Sequence, residues 1–260
     1  MYSVAAKDGL TIGALYPGAV MGPLTDTKMA EIFDPTKFAY VGSADSGSRL
    51  CATWQDSKVK KFEDTLTTKT VVGASQDGGS TKDFPVVMNS LLGTKFEIVA
   101  GYKGSNEILL AVERKEVEGL CGYDWSSLQA SKPQWVPEKK VNLLVQFGPE
   151  PDPELTKMGV PEIYKFLKSE DDKKIFQLLV SQQLFGRPYI LAPGTNPEAV
   201  KILRTAFDAT VKDPEYIEEG KKSRLSLNAA SGEKVQDLVS NLYKTPKALV
   251  DRFQKVTEAK

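Results

Sequence analysis

The chain has 260 residues, enough for one large domain or two lobes of ordinary size. Lys plus Arg and Asp plus Glu number 34 each, so no global field marks it for nucleic acid or an anionic membrane surface, and any bound anion must be held by local geometry. Histidine is absent, which removes the commonest general base, the usual activator of a Ser or Cys nucleophile and the commonest metal ligand. With Cys51 and Cys121 as the only soft ligands, neither a metal site nor a cofactor is expected.

No run of 18 apolar residues is present, and Met1–Gly9 lacks the pattern of a signal peptide. Strands are expected at Leu10–Leu15, closed by Tyr16-Pro17-Gly18, at Phe38–Gly42, at Arg49–Trp54 and at Thr70–Ala74. The loop Ser75–Gly79 leads into a helix over Ser80–Leu92. Phe96–Val99 is the next strand, and Ser105–Val117 the next helix, with Ile108, Leu109, Val112 and Val117 on one face. Short strands follow at Gly119–Gly122 and Val141–Phe147. Strand–helix alternation at this spacing predicts an α/β chain with mostly parallel sheets flanked by helices. Beyond the proline-punctuated loop Gly148–Pro153 helices dominate: Asp171–Leu184, a helix opened by Asn196-Pro197, and others from Pro214, Ser231 and Pro246. The strand-like Arg187–Leu191 interrupts them.

The mixed-charge runs Glu113–Glu116 and Lys168–Lys174 read as solvated helix faces. Trp54, Trp125 and Trp135 read as core residues. Neither a Gly-x-Ser-x-Gly elbow nor a phosphate-binding Gly-Lys-Ser/Thr loop is present. Cys51 and Cys121 each sit in an apolar stretch and fit one disulfide or two buried thiols.

The stretch Gly93–Ser105 followed by Leu110–Gly119 resembles the Bug family, the extracytoplasmic solute receptors of tripartite tricarboxylate transporters. Phe33–Phe38, Gly186-Arg187-Pro188, Ala192–Thr195, Leu203–Asp208 and Lys212–Glu215 fit the same family in order and spacing. The resemblance runs from Asp8 onward. It implies a fold like type II periplasmic binding proteins, with residues 1–39 and 185–260 forming lobe 1 and 40–184 forming lobe 2. Strands near Tyr40 and Pro188 would be the hinge. Family members open with a βαβα segment that has no counterpart here, so lobe 1 is expected to be incomplete and the chain either self-associating or marginally stable.

The implied function is capture of a small carboxylate in the periplasm and its delivery to membrane permease subunits, with no catalysis. A hydrolase using Ser80 or Ser105 is the rival from another class, and the missing histidine speaks against it. A family member that folds but binds no solute is the third reading. A carboxylate needs converging N–H and hydroxyl donors, which helix N-termini supply. The resemblance gives that role to two loops, Tyr16, Pro17, Gly18 and Ala19 in lobe 1 and Ser75, Gly78, Gly79, Ser80 and Thr81 in lobe 2; a third strand-to-helix turn, Tyr102, Gly104 and Ser105 with Asn106 beside them, offers hydroxyls and a glycine for close approach. Gly78, Gly79 and Ser80 are expected to face Tyr16–Ala19 across a cleft. Asp77 would repel an anion unless it points away. Gly122, Tyr123 and Asp124 form a fourth candidate. All lie after strand C-terminal ends, where open α/β sheets bind ligands. An exported family also favours a Cys51–Cys121 disulfide, between strands of lobe 2.

Overall fold

The computed structural model describes residues 1–76, 78–223, 225 and 227–257. In chain order the elements are β1 (Gly13–Ala14), α1 (Pro17–Thr25), α2 (Thr27–Ile32), β2 (Ala39–Ser43), β3 (Arg49–Trp54), β4 (Thr70–Ala74), α3 (Ser80–Leu92), β5 (Phe96–Ala100), α4 (Ser105–Glu113), β6 (Gly119–Asp124), α5 (Trp125–Ser131) and β7 (Val141–Phe147). Then follow α6 (Pro153–Lys157), α7 (Glu170–Ser181), β8 (Pro188–Leu191), α8 (Pro197–Thr210), α9 (Pro214–Lys222), β9 (Ala230–Ser231), α10 (Gly232–Leu242) and α11 (Lys247–Thr257). No helix among the described residues is long and apolar enough to cross a membrane.

The chain divides into two units, Met1–Gly47 with Ser181–Asp251, and Ser48–Val180 with the stretch from Arg252. These bounds differ from those read off the sequence. The strand Ala39–Ser43 stays whole in the first unit because it pairs with β8 on one side and β9 on the other. The two segments expected as a hinge are therefore neighbours in one sheet. From Arg252 the chain groups with the second unit, where the Arg252 guanidinium pairs with Asp171 and Asp172 at the start of α7.

The first unit holds a sheet in the order β1-β8-β2-β9, and its pairings are antiparallel. Here the expectation of mostly parallel sheets fails, since short strands returning from distant parts of the chain meet head to tail. The expected strand Leu10–Leu15 shrinks to two paired residues, with Leu10 and Ile12 exposed. Helices pack closely on β2. A methyl group at Gly42 would strike the Phe207 ring of α8, and one at Gly232 would strike the backbone of Tyr40 at the start of α10. The buried Tyr40 hydroxyl donates to Pro35 O at 3.1 Å, and the Tyr243 hydroxyl to Val20 O at 2.8 Å. Burial raises both phenols above their ordinary pKa.

The second unit holds a five-stranded sheet in the order β5-β4-β6-β3-β7. Pairings β4–β5 and β4–β6 are parallel, whereas β3 runs antiparallel to both β6 and β7. The apolar run Arg49–Trp54 is buried along its middle, as a strand between two others must be. Helix α3 stops at Gly93, which takes the left-handed conformation that glycine adopts without strain (φ 72°). Helix α4 ends four residues before the expected Val117. Lys115 takes φ 60°, its N–H bonds to Val112 O, and the Glu116 N–H reaches back to Ala111 O, a Schellman closure without its usual glycine. The turn still delivers Val117 to the core.

That core contains Leu50, Ile108, Leu109, Val112, Leu120, Trp125 and Trp135, with Trp54 packed against it. Glu113 is more than part of a solvated face. Its carboxylate accepts from Lys132 Nζ at 2.7 Å and from the indole N–H of buried Trp135 at 3.2 Å. The Lys132 hydrogen bond, reinforced by Trp135, holds the Glu113 carboxyl below its usual 4.5 against a smaller opposing effect of burial. A depressed carboxyl pKa stabilises the fold above the unfolded-state value, and that contribution is lost as pH falls through the folded-state value. Glu113→Gln should therefore lower Tm near neutrality, with the gap to wild type closing between about pH 6 and pH 3. Thermal melts over that range check it; a gap independent of pH would remove the charge from the account.

Candidate functional site

The parallel strands β4, β5 and β6 end at one edge of the second unit's sheet, where β4 and β5 each feed a loop into a helix and β6 runs directly into α5. After β4, the Ser75 N–H donates to Thr81 Oγ1 at 3.0 Å, and the two hydroxyls lie 2.9 Å apart. Thr81 is 3% exposed, so it locks the loop from inside. Gly78 stands in open space at φ 75°, while a methyl group on buried Gly79 would meet Ser75 Oγ. Gly79 is the N-cap of α3 and offers no side chain to it. Its carbonyl accepts from the Lys82 and Asp83 N–H groups at 2.9 and 3.0 Å. Among the described residues, the N–H groups of Ser80 and Thr81 have no acceptor. Asp77 lies outside the described residues.

The loop after β5 repeats this arrangement. Gly104 is the N-cap of α4, again without a side-chain cap, and accepts from the Glu107 and Ile108 N–H groups at 3.1 and 3.4 Å. The Ser105 and Asn106 N–H groups have no acceptor among the described residues. Glu107 accepts from the Lys103 N–H at 2.9 Å and steadies the turn. Tyr102 turns inward, where its ring packs with the core near Gly73. Burial, then the charge of Glu116, raises its phenol pKa.

The fourth candidate has a structural occupation. Tyr123 is 6% exposed and belongs to the core. Asp124 caps α5, accepting from the Ser127 N–H and the Ser126 hydroxyl at 2.8 Å each.

In the first unit, Tyr16 is the N-cap of α1 without a side-chain bond, and Pro17 at the first helical position carries no N–H. The Ala19 N–H bonds to Tyr16 O at 2.9 Å, and the Gly18 N–H has no acceptor among the described residues.

A contrast along the chain separates these starts from six others. Helices α2, α5, α6, α8, α9 and α10 are capped by the side chains of Asp26, Asp124, Asp152, Asn196, Asp213 and Ser231. Helices α1, α3 and α4, which follow the three loops singled out from sequence, have no such cap. An uncapped helix start presents N–H donors at the positive end of the macrodipole, which suits a carboxylate.

At this edge Gly122 has a packing role that the sequence did not announce, and Arg49 escaped the sequence reading. Gly122 adopts φ 68°, and a methyl group there would collide with the Ser80 carbonyl, so it seats α3 on β6. Arg49 lies opposite Asp124 in register, with its guanidinium 5.8 Å from the centre of the Phe84 ring on α3. A lone Arg heading an apolar strand was the available signal. The predicted disulfide is present, joining Cys51 and Cys121 with Cα atoms 4.0 Å apart. Among the described residues no acidic or cysteine cluster could hold a metal ion.

Neither a family model nor a curated protein matches the sequence. Solved structures do. A TctC solute-binding protein from Polaromonas is 14% identical at TM-score 0.69, covering 95% of this chain and 80% of its own. The periplasmic binding protein BugD is 16% identical at 0.66, covering 97% and 80%. MatC from Rhodopseudomonas palustris, solved with malate, is 18% identical at 0.63, covering 98% and 81%. At these identities the likeness speaks for the fold: this chain is built as the TctC and Bug solute-binding proteins are built.

Proposed function

We propose that this chain is a periplasmic solute-binding receptor that captures a small carboxylate and delivers it to the membrane permease of a tripartite tricarboxylate-type transporter. The observation that carries the reading is the absence of side-chain caps at α1, α3 and α4, against their presence at six other helices. In the second unit the Ser80, Thr81, Ser105 and Asn106 N–H groups are the donors for the solute, with the Ser80 and Ser105 hydroxyls beside them. Malate is the first ligand to test, since a protein of this fold holds it. No step of bond making or breaking belongs to this reading.

Proline is accepted at the first position of a helix, so Ser80→Pro and Ser105→Pro should keep α3 and α4 while each removes one N–H and one hydroxyl. Hydrogen bonds to a charged group contribute about 1.5–3 kcal/mol, so each variant should weaken carboxylate binding by about 10- to 100-fold. A thermal-shift screen over dicarboxylates, tricarboxylates and aromatic acids identifies the ligand, and calorimetry gives the change in Kd. A bound ligand at a hundred times its Kd stabilises by about 2.7 kcal/mol, readily seen as a raised Tm. No shift with any anion, or full affinity in both proline variants, would sink the reading.

A further inference from the structure

We infer that the Cys51–Cys121 disulfide is a positioning device for the start of α3, acting through Gly122. The register of β3 against β6 passes from Leu50↔Tyr123 to Ala52↔Leu120, so Cys121 and Gly122 together oppose Cys51. This is a two-against-one bulge with a left-handed glycine in it. The disulfide joins the one residue to its partner inside the bulge, between two side chains that are fully buried. Gly122, next in the chain, has its Cα against the Ser80 carbonyl, and a methyl group there would also lie 3.0 Å from the Phe84 ring. The covalent link thus holds the backbone on which the first turn of α3 rests. Helix α4 starts from an equivalent glycine cap, and a methyl group at that cap, Gly104, would meet nothing within 4 Å.

The functional weight of this rests on the reading of the β4–α3 loop as a ligand loop, but its test needs no ligand. The Lys82 and Asp83 N–H groups bond to Gly79 O, and the Glu107 and Ile108 N–H groups bond likewise to Gly104 O, which makes α4 an internal control. A disulfide that acts only on the unfolded chain speeds exchange of amides that open globally and leaves local fraying at helix starts unchanged. In Cys51→Ala/Cys121→Ala, hydrogen exchange under native conditions should quicken about tenfold or more at Lys82 and Asp83, and by less than about twofold at Glu107 and Ile108. Gly122→Ala, with the disulfide intact, should show the same selective loosening; should it not fold, the cysteine variant decides alone. Equal changes at both helix starts, or none at α3, would overturn the inference. A silent solute screen would leave this result standing, and a failed exchange test would leave the screen's result standing.

Discussion

Replacing both cysteines, as Cys51→Ala/Cys121→Ala, should lower the unfolding free energy of the second unit by about 3–4 kcal/mol. The bridge spans a sequence separation of 70, and closing so long a loop removes much of the conformational freedom of the unfolded chain. Both side chains are fully buried, so alanine also leaves a small void in the interior. Urea denaturation followed by tryptophan fluorescence isolates the effect, because Trp54, Trp125 and Trp135 are the chain's three tryptophans and all lie in the second unit. The unfolded variant is less compact than the cross-linked chain, so the m-value should rise as the midpoint falls. A loss below about 1 kcal/mol would show that the bridge closes no costly loop.

Trp135→Ala should cost about 3–5 kcal/mol in the same unit. The side chain is fully buried. Its ring meets Trp54 edge-on at 5.2 Å, and Lys132 Nζ lies 5.6 Å from its centre. Alanine would open a large cavity, deprive Glu113 of the indole donor and leave Lys132 without the aromatic face it lies over. Trp135→Phe keeps most of the volume and should lose less than half as much, with the remaining deficit in the indole N–H. The same urea titration, read from Trp54 and Trp125, measures both. A cost below about 1 kcal/mol for alanine would mean that the site collapses freely around the smaller side chain.

Much of the local structure was legible because its causes are local. The runs Arg49–Trp54, Thr70–Ala74 and Val141–Phe147 are strands as read, and Ser80–Leu92 is a helix over its whole expected length. Pro197 and Pro214 open helices at the position where a missing N–H costs nothing. The end of α4 was misread because Lys115 takes a left-handed conformation with no glycine to announce it. Asp124 was offered as a ligand, whereas it caps α5; a carboxylate before a helix serves either purpose, and the sequence does not say which neighbours it meets.

The sequence by itself determined where most of the strands and the longer helices lie, which glycine- and serine-bearing loops join them, and that no histidine is available for acid–base or metal chemistry. Those properties follow from side-chain periodicity, backbone freedom and composition, each readable within a few residues. Only the tertiary structure decided that β3 runs against its neighbours, that Cys51 meets Cys121, that Gly122 supports Ser80, and that the starts of α1, α3 and α4 lack a side chain to cap them. Strand direction and register are set by which distant segments bury their apolar faces together, and a donor's freedom depends on every group that packing brings near it.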